Sequence, residues 1–161
     1  QRQMCIRDSC NVLNINSIIS ISSKMKIQLC YASRASSSEH DVLNDLREIL
    51  NEARDFNTKH DIHGVLYFAD EYFFQCLEGD ELTIQLLLEK LLRDPRHQDI
   101  KLFQKNVIEN EGHFSQWSMK YVRRNSQIQQ YFQSKGYENF QPLDLKDEEI
   151  SDLLALLYET N

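Results

Sequence analysis

The sequence predicts an α+β fold of the ferredoxin-like kind, a mixed β-sheet with two helices on one face. Three observations predict it. Strand-like alternation and helical apolar stripes follow one another between residues 26 and 121 in the order β-α-β-β-α-β-β. The second and third strand patterns are separated by a short turn at Asp70-Glu71. The two helical stripes fall at the crossovers of a split β-α-β unit. The expected architecture is βαββαβ with an additional strand, giving a five-stranded sheet, followed by a C-terminal two-helix extension.

The elements are justified in order. Residues 26–32 alternate, placing Ile27, Leu29 and Tyr31 on one face. Ser36-Ser37-Ser38 leads into the first helix, with Ser38 and Asp41 spaced as a capping box. Its stripe is Val42, Leu43, Leu46, Ile49, Leu50, Ala53 and Phe56. Residues 62–68 and 72–78 read as strands. Asp80 stands where a second helix needs its N-cap, with Ile84, Leu87, Leu88, Leu91 and Leu92 facing inward and Pro95 beyond the end. Residues 101–108 and 114–121 read as two more strands around a turn at 109–112. Residues 125–135 and 147–159 read as short helices joined by a linker with Gly136 and Pro142. The last helix carries Ile150, Leu153, Leu154, Leu156, Leu157 and Tyr158, a stripe that must pack on the free sheet face or on another chain.

Length fits one domain, expected over 25–122, with a helical extension over 123–161 and a dissimilar segment over 1–24. Residues 11–23 are rich in Asn, Ser and Ile without a helical stripe, and are too short and polar for a secretory core. Met25 is the expected natural start, with 1–24 disordered or non-native. A net charge of −7 argues against nucleic acid or an anionic membrane as main partner. No apolar run reaches the roughly 18–20 residues that span a bilayer. Cys5, Cys10, Cys30 and Cys76 form no CxxC pair and no zinc spacing, so no metal is expected. Cys30 and Cys76, inside strands, read as buried free thiols of a cytoplasmic protein.

Three polar residues stand where the pattern calls for apolar ones. Gln75 lies on the inward face of the third strand between Phe73 and Leu77. Tyr31 ends the inward face of the first strand, its neighbour in such a sheet. Asn57 continues the stripe of the first helix, four residues after Ala53. A buried amide left unpaired costs roughly 1–3 kcal/mol, so these groups need partners. They form either a satisfied core network, with Asn57 as a helix C-cap, or one pocket. One phenol and two amides suit a planar heterocycle with alternating donors and acceptors better than acid–base catalysis. Glu78, before Gly79, reads as exposed or turn-stabilising. Lys90 and Asp94 read as a solvated i,i+4 pair. Arg96-His97 reads as a basic helix exit, Arg54 as a cation favoured near a helix end, and Trp117 and Met119 as sharing a strand face with Tyr121.

These residues resemble the BLUF family of flavin-binding blue-light sensors. The resemblance covers about residues 26–121 and continues into a two-helix tail. Leu29-Cys30-Tyr31-Ala32-Ser33 carries the family's tyrosine, and Ala53-Arg54-Asp55-Phe56-Asn57 its Ala-Arg-x-x-Asn pattern. Ile62-His63-Gly64-Val65-Leu66-Tyr67 is similar to its Ile-Thr-Gly-x-Leu-x-Tyr strand, with the tyrosine one place early. Phe73-Phe74-Gln75-Cys76-Leu77-Glu78-Gly79, Asp94-Pro95-Arg96-His97 and Phe114-Ser115-Gln116-Trp117-Ser118-Met119 resemble three further motifs in the family's order. His63 replaces the usual threonine and is expected to alter packing beside the flavin. His113 stands where arginine is common.

The resemblance implies noncovalent FAD, or another flavin, between the two helices. Tyr31 and Gln75 would be photoactive, and Asn57, Lys90, Arg96, His97 and Arg54 would contact the cofactor. Trp117 and Met119 would pass the signal to the tail and on to a downstream signalling protein. It implies no output enzyme on this chain, and self-association through the tail. Two other readings stay open: a light-insensitive flavin-binding interaction module, and a small acylphosphatase-type enzyme using Arg34 in the loop after the first strand.

Overall fold

The computed structural model describes residues 25–38 and 41–160. The expectations for residues 1–24, Cys5 and Cys10 among them, lie outside the described residues. The chain forms β1 (Lys26–Ala35), α1 (Val42–His60), β2 (His63–Ala69), β3 (Tyr72–Asp80), α2 (Glu81–Leu92), β4 (His97–Leu102), β5 (Asn106–Ile108), β6 (Lys120–Val122), α3 (Ser126–Ser134) and α4 (Ile150–Glu159). The sheet order is β4-β1-β3-β2-β6, with β5 also paired to β1. The β2–β6 pairing is parallel and the others antiparallel, so the sheet is mixed and ferredoxin-like with an added strand, as expected. The β2–β3 hairpin closes through Asp70 (φ 48°) and Glu71 (φ 68°), both left-handed, the backbone a two-residue hairpin needs.

Two strand expectations are corrected. The single strand over 101–108 is β4 and β5, which lie along different halves of β1. Between them Phe103 donates its N–H to Cys30 O and buries its ring, while Gln104 donates its N–H to Asp147 Oδ1 of the tail. The strand over 114–121 shrinks to Lys120–Val122. The residues before it turn because the His113 and Phe114 N–H groups bind the Glu78 carboxylate and the Trp117 N–H binds Phe114 O.

Both sheet faces are covered. On one, Ile27, Leu29, Phe73 and Leu77 pack against Leu46, Ile49 and Leu50 of α1 and Ile84 of α2. Leu43 and Leu92, counted in the helical stripes, are exposed at helix-end positions. Ser38 and Asp41 meet side chain to side chain at 2.9 Å, and the reciprocal capping box is not made. Asp80 does cap α2, accepting the Thr83 N–H.

On the other face, Cys30, Val65, Tyr67, Phe74 and Cys76 pack against Ile128 and Phe132 of α3, Phe140, Leu145, and Leu153 and Leu157 of α4. Each such leucine contributes about 1.5–3 kcal/mol on burial. The apolar tail stripe therefore finds its partner within the chain, which removes the sequence argument for self-association. Lys101 ties the linker to β4, donating to the Leu143 and Leu145 carbonyls at 2.9 and 2.7 Å. Cys30 and Cys76 are buried free thiols, as expected.

Candidate functional site

Tyr31 and Gln75 sit opposite each other in the β1–β3 register. The Tyr31 phenol donates to Gln75 Oε1, and Gln75 Nε2 faces Met119 Sδ at 3.6 Å. Burial, reinforced by the charge of Asp94, holds the Tyr31 phenol well above its ordinary pKa, so it is a donor at neutral pH. The second amide hydrogen-bonding end of Gln75 has only a thioether, a weak acceptor.

Above this pair a cavity of about 640 Å³ opens between α1 and α2. Leu29, Tyr31, Gln75 and Leu77 form its floor, Ile49, Ala53 and Phe56 one wall, and Leu87, Leu88 and Leu91 the other. Lys59, Lys90, Arg96 and His97 also line it. An apolar slot with a few polar groups at its floor is the usual character of a cofactor site, and its size lies in the common range. Lys90 lies 4.9 Å from the Phe56 ring centroid rather than pairing with Asp94. Asp94 instead binds Arg96 at 2.6 Å, and Arg96 reaches across to Glu52 of α1 at 2.9 Å.

His97 is buried against Phe73 and takes a 2.8 Å hydrogen bond with Ser33 Oγ through Nδ1. Burial pushes its pKa down to about 4, against the opposing charge of Asp94, so the ring is neutral at neutral pH.

The cavity thus brings together Tyr31, Gln75, Lys90, Arg96 and His97. Arg54 and Asn57 are not among its lining residues. They pin the end of α1 to the segment before β6: Asn57 Nδ2 donates to Ser118 O at 2.6 Å and Arg54 Nε to Met119 O at 3.2 Å. Asn57 is fully buried, and its Oδ1 has no hydrogen-bond partner.

Trp117 and Met119 do not share a face. Met119 joins the core on the helix side, whereas Trp117 packs with the tail, edge to face with Tyr158. Strand alternation failed there because residues 113–116 form a turn and the strand begins only at Lys120. His63 lies outside the cavity lining and bonds Asp61 at 3.2 Å. Arg34 pairs with Asp99, and the N–H groups of Ala35 and Ser36 are already used by Glu71 O and Arg96 O, so these groups are not free to cradle a phosphate.

Three residues of consequence escaped the sequence reading. Ser33 follows Tyr31 by two residues, so alternation already places it on the same face. Glu78, read as exposed or turn-stabilising, is buried, and it holds the turn before β6 by accepting from His113 N and Phe114 N, with Gln28 Nε2 as a third donor. The signal was the same as for Gln75: it follows Phe74 and Cys76 on an apolar face. Lys120 likewise precedes Val122 on the tail-side face and is buried.

The group these residues fit is flat, apolar in body and polar at one edge. The Gln75 amide nitrogen has only the Met119 thioether, the buried Asn57 Oδ1 has no partner, and apolar side chains of α1 and α2 stand on both walls of the slot. Fold and site together have the form of a flavin-type photosensory domain. The chain belongs to the BLUF family, sensors of blue-light using FAD, whose family model matches residues 27–120. It is similar to the ground-state structure of BlsA, 44% identical over 85% of this chain and 90% of that one, with a TM-score of 0.81. It is also similar to the dark-state structure of BlrB, a BLUF protein, 27% identical over 84% of this chain and 96% of that one, with a TM-score of 0.69. A third relative is the blue light- and temperature-regulated antirepressor BluF of Escherichia coli (strain K12), 31% identical over 62 residues. That match spans 38% of this chain and 15% of the antirepressor. The chain is thus a flavin-binding blue-light sensor. Among the described residues no helix is long and apolar enough to cross a membrane.

Proposed function

We propose that this sensor holds FAD noncovalently in the cavity between α1 and α2, with Tyr31 and Gln75 as its photoactive pair. The observation that carries the reading is the hydrogen bond from the Tyr31 phenol to Gln75 Oε1 on the cavity floor. A flavin supplies blue-light absorption and, once excited, a strong acceptor for an electron and a proton. Tyr31 is the donor of both, its proton held on the phenol by burial until then. Gln75 is the relay. Its amide now gives oxygen to Tyr31 and nitrogen to Met119 Sδ; rotation or tautomerisation exchanges what it donates and accepts. That exchange changes the hydrogen bonds offered to the chromophore and so its absorption energy. His97, in the lining, and the unpartnered Asn57 Oδ1 would hold the polar edge. Lys90, over the Phe56 ring, would favour a phosphorylated flavin such as FAD, whereas Lys59 and Arg96 are engaged by Asp55 and by Asp94 and Glu52.

Met119 on the helix side and Trp117 on the tail side carry the change from domain 25–122 to the helical extension 123–161. The extension then alters contacts with a downstream protein in the cytoplasm. The antirepressor among the relatives supports a protein partner, and the free thiols Cys30 and Cys76 suit a reducing compartment.

The test is the visible spectrum of purified protein. A flavin band that moves to the red under blue light and recovers in darkness supports the reading. Bound flavin that only bleaches sinks the photocycle, and a protein that neither carries nor takes up flavin sinks the site.

A further inference from the structure

Lys120 places a positive charge on the largely apolar tail-side face of the sheet, where the other buried charge is the Glu78 carboxylate, and only 8% of it is exposed. Its ammonium donates to the Tyr158 carbonyl at 2.7 Å, in the last turn of α4. Carbonyls there lack intrahelical partners, and the helix dipole favours a cation. The ammonium also lies 4.6 Å from the Trp117 ring centroid and 5.9 Å from that of Tyr158. Those rings meet edge to face at 6.1 Å, so the charge sits in an aromatic corner closed by the tail.

The preceding residue faces the other way. Met119 Sδ is 3.6 Å from Gln75 Nε2, and its carbonyl accepts from Arg54. Met119 is the residue immediately before β6 and packs in the helix-side core, whereas Lys120 opens β6 and reaches the tail. Residues 119 and 120 therefore join Gln75, on one side of the sheet, to the end of α4 on the other. β6 is held by only three register pairs with β2, a short ladder at the sheet edge. Once Gln75 turns its amide, Met119 meets a different group, and a shift of Met119 moves Lys120 with it. Lys120 cannot follow without pulling on the Tyr158 carbonyl or leaving a desolvated charge without its partner.

We infer that Lys120 is the positioning residue that couples the Gln75 switch to the C-terminal helix, through its bond to the Tyr158 carbonyl and its seat between Trp117 and Tyr158. This rests on the photosensory reading above. It differs from a merely structural role in that it alters the light response of the tail and leaves the light response of the chromophore in place.

The experiment uses the full chain loaded with flavin, in darkness and under blue light. Two quantities are read together: the red shift of the flavin band and the hydrogen exchange of the amides of residues 150–160. Lys120→Met is expected to keep the red shift and to lower the light-minus-dark exchange difference in the tail by about threefold or more. Lys120→Arg, which keeps the cation and its donors, is expected to retain most of it. Tyr158→Leu removes one wall of the corner at a half-exposed position, tolerates folding, and is expected to fall between the two. A full wild-type exchange difference in Lys120→Met, or in Tyr158→Leu if Lys120→Met does not fold, overturns the coupling, as does a wild-type protein whose flavin shifts while its tail exchange stays constant. A wild-type protein without a red shift overturns the photosensory reading itself, a result told apart by the spectrum alone.

Discussion

Tyr31 and Gln75 face each other across β1 and β3 as direct register partners, and the phenol of the first donates to the amide oxygen of the second. Their neighbours fix this geometry. The Ala35 N–H binds Glu71 O and the Glu81 N–H binds Met25 O, one bond at each end of the pairing, so a register slip would cost both ends of the ladder. The Tyr31–Gln75 pair is therefore set by the sheet itself.

Removing either member should separate binding from switching. Tyr31→Phe leaves Gln75 Oε1 without its donor, a loss of roughly 1–3 kcal/mol, and removes the proton and electron source. Gln75→Leu removes the relay. Both variants are expected to retain flavin and to lose the reversible red shift, as read by absorption spectra before and after blue light. A normal photocycle in either one refutes the assigned roles.

Asn57 tests where the cofactor's polar edge lies. Its Nδ2 is satisfied by Ser118 O while its buried Oδ1 has no partner. A bound flavin that supplies the missing donor should make Asn57→Ala bind more weakly, by about tenfold for one such hydrogen bond. Flavin fluorescence quenching on titration into apoprotein measures this. An unchanged Kd would place Asn57 with the α1 anchor alone.

His97 gives a pH signature. Its folded pKa of about 4 lies below the ordinary value of 6.5 because burial disfavours the charged ring. Between these values the unfolded chain binds the extra proton, so the contribution to stability is complete above pH 6.5. It falls as pH drops through that window and levels off below about pH 4. The full contribution is roughly 3 kcal/mol. Urea unfolding at pH 7 and pH 5 is expected to show a smaller loss in His97→Asn than in the wild type. Equal losses would mean that another group carries the acid sensitivity.

Much of this was legible because it rests on local periodicity. Alternation places Tyr31 and Gln75 on one face, the turn at Asp70-Glu71 marks the hairpin, and the stripe around Leu46, Ile49 and Leu50 gives α1 its buried side. What was not legible depends on partners distant in sequence. β4 and β5 separate because Gln104 finds Asp147 some forty residues later. The turns before β6 exist because the Glu78 carboxylate draws in the N–H groups of His113 and Phe114. For the same reason Trp117 and Met119, two residues apart, ended on opposite sides of the sheet. Arg54 and Asn57 were correctly singled out as polar residues at a helix end, but their partners are backbone carbonyls of residues 118 and 119, which no periodicity announces.

The Glu78 latch yields the most demanding prediction on stability. Its carboxylate is buried and accepts from three donors: Gln28 Nε2 at 2.8 Å, His113 N at 3.1 Å and Phe114 N at 2.8 Å. Glu78→Ala strands these donors next to a fully buried Phe114, and should cost about 2–4 kcal/mol. Gly112 belongs to the same latch, since a Cβ at that position would overlap the carboxylate. A free side-chain end would swing away at little cost. This one is pinned, so Gly112→Ala should break part of the latch and cost about 1–3 kcal/mol. The two losses share one cause. In the double variant the overlap has nothing to strike, and the combined loss should fall short of the sum by about 0.5–3 kcal/mol. Urea midpoints of the four proteins measure this coupling. Strict additivity would show that Gly112 is constrained by something other than Glu78.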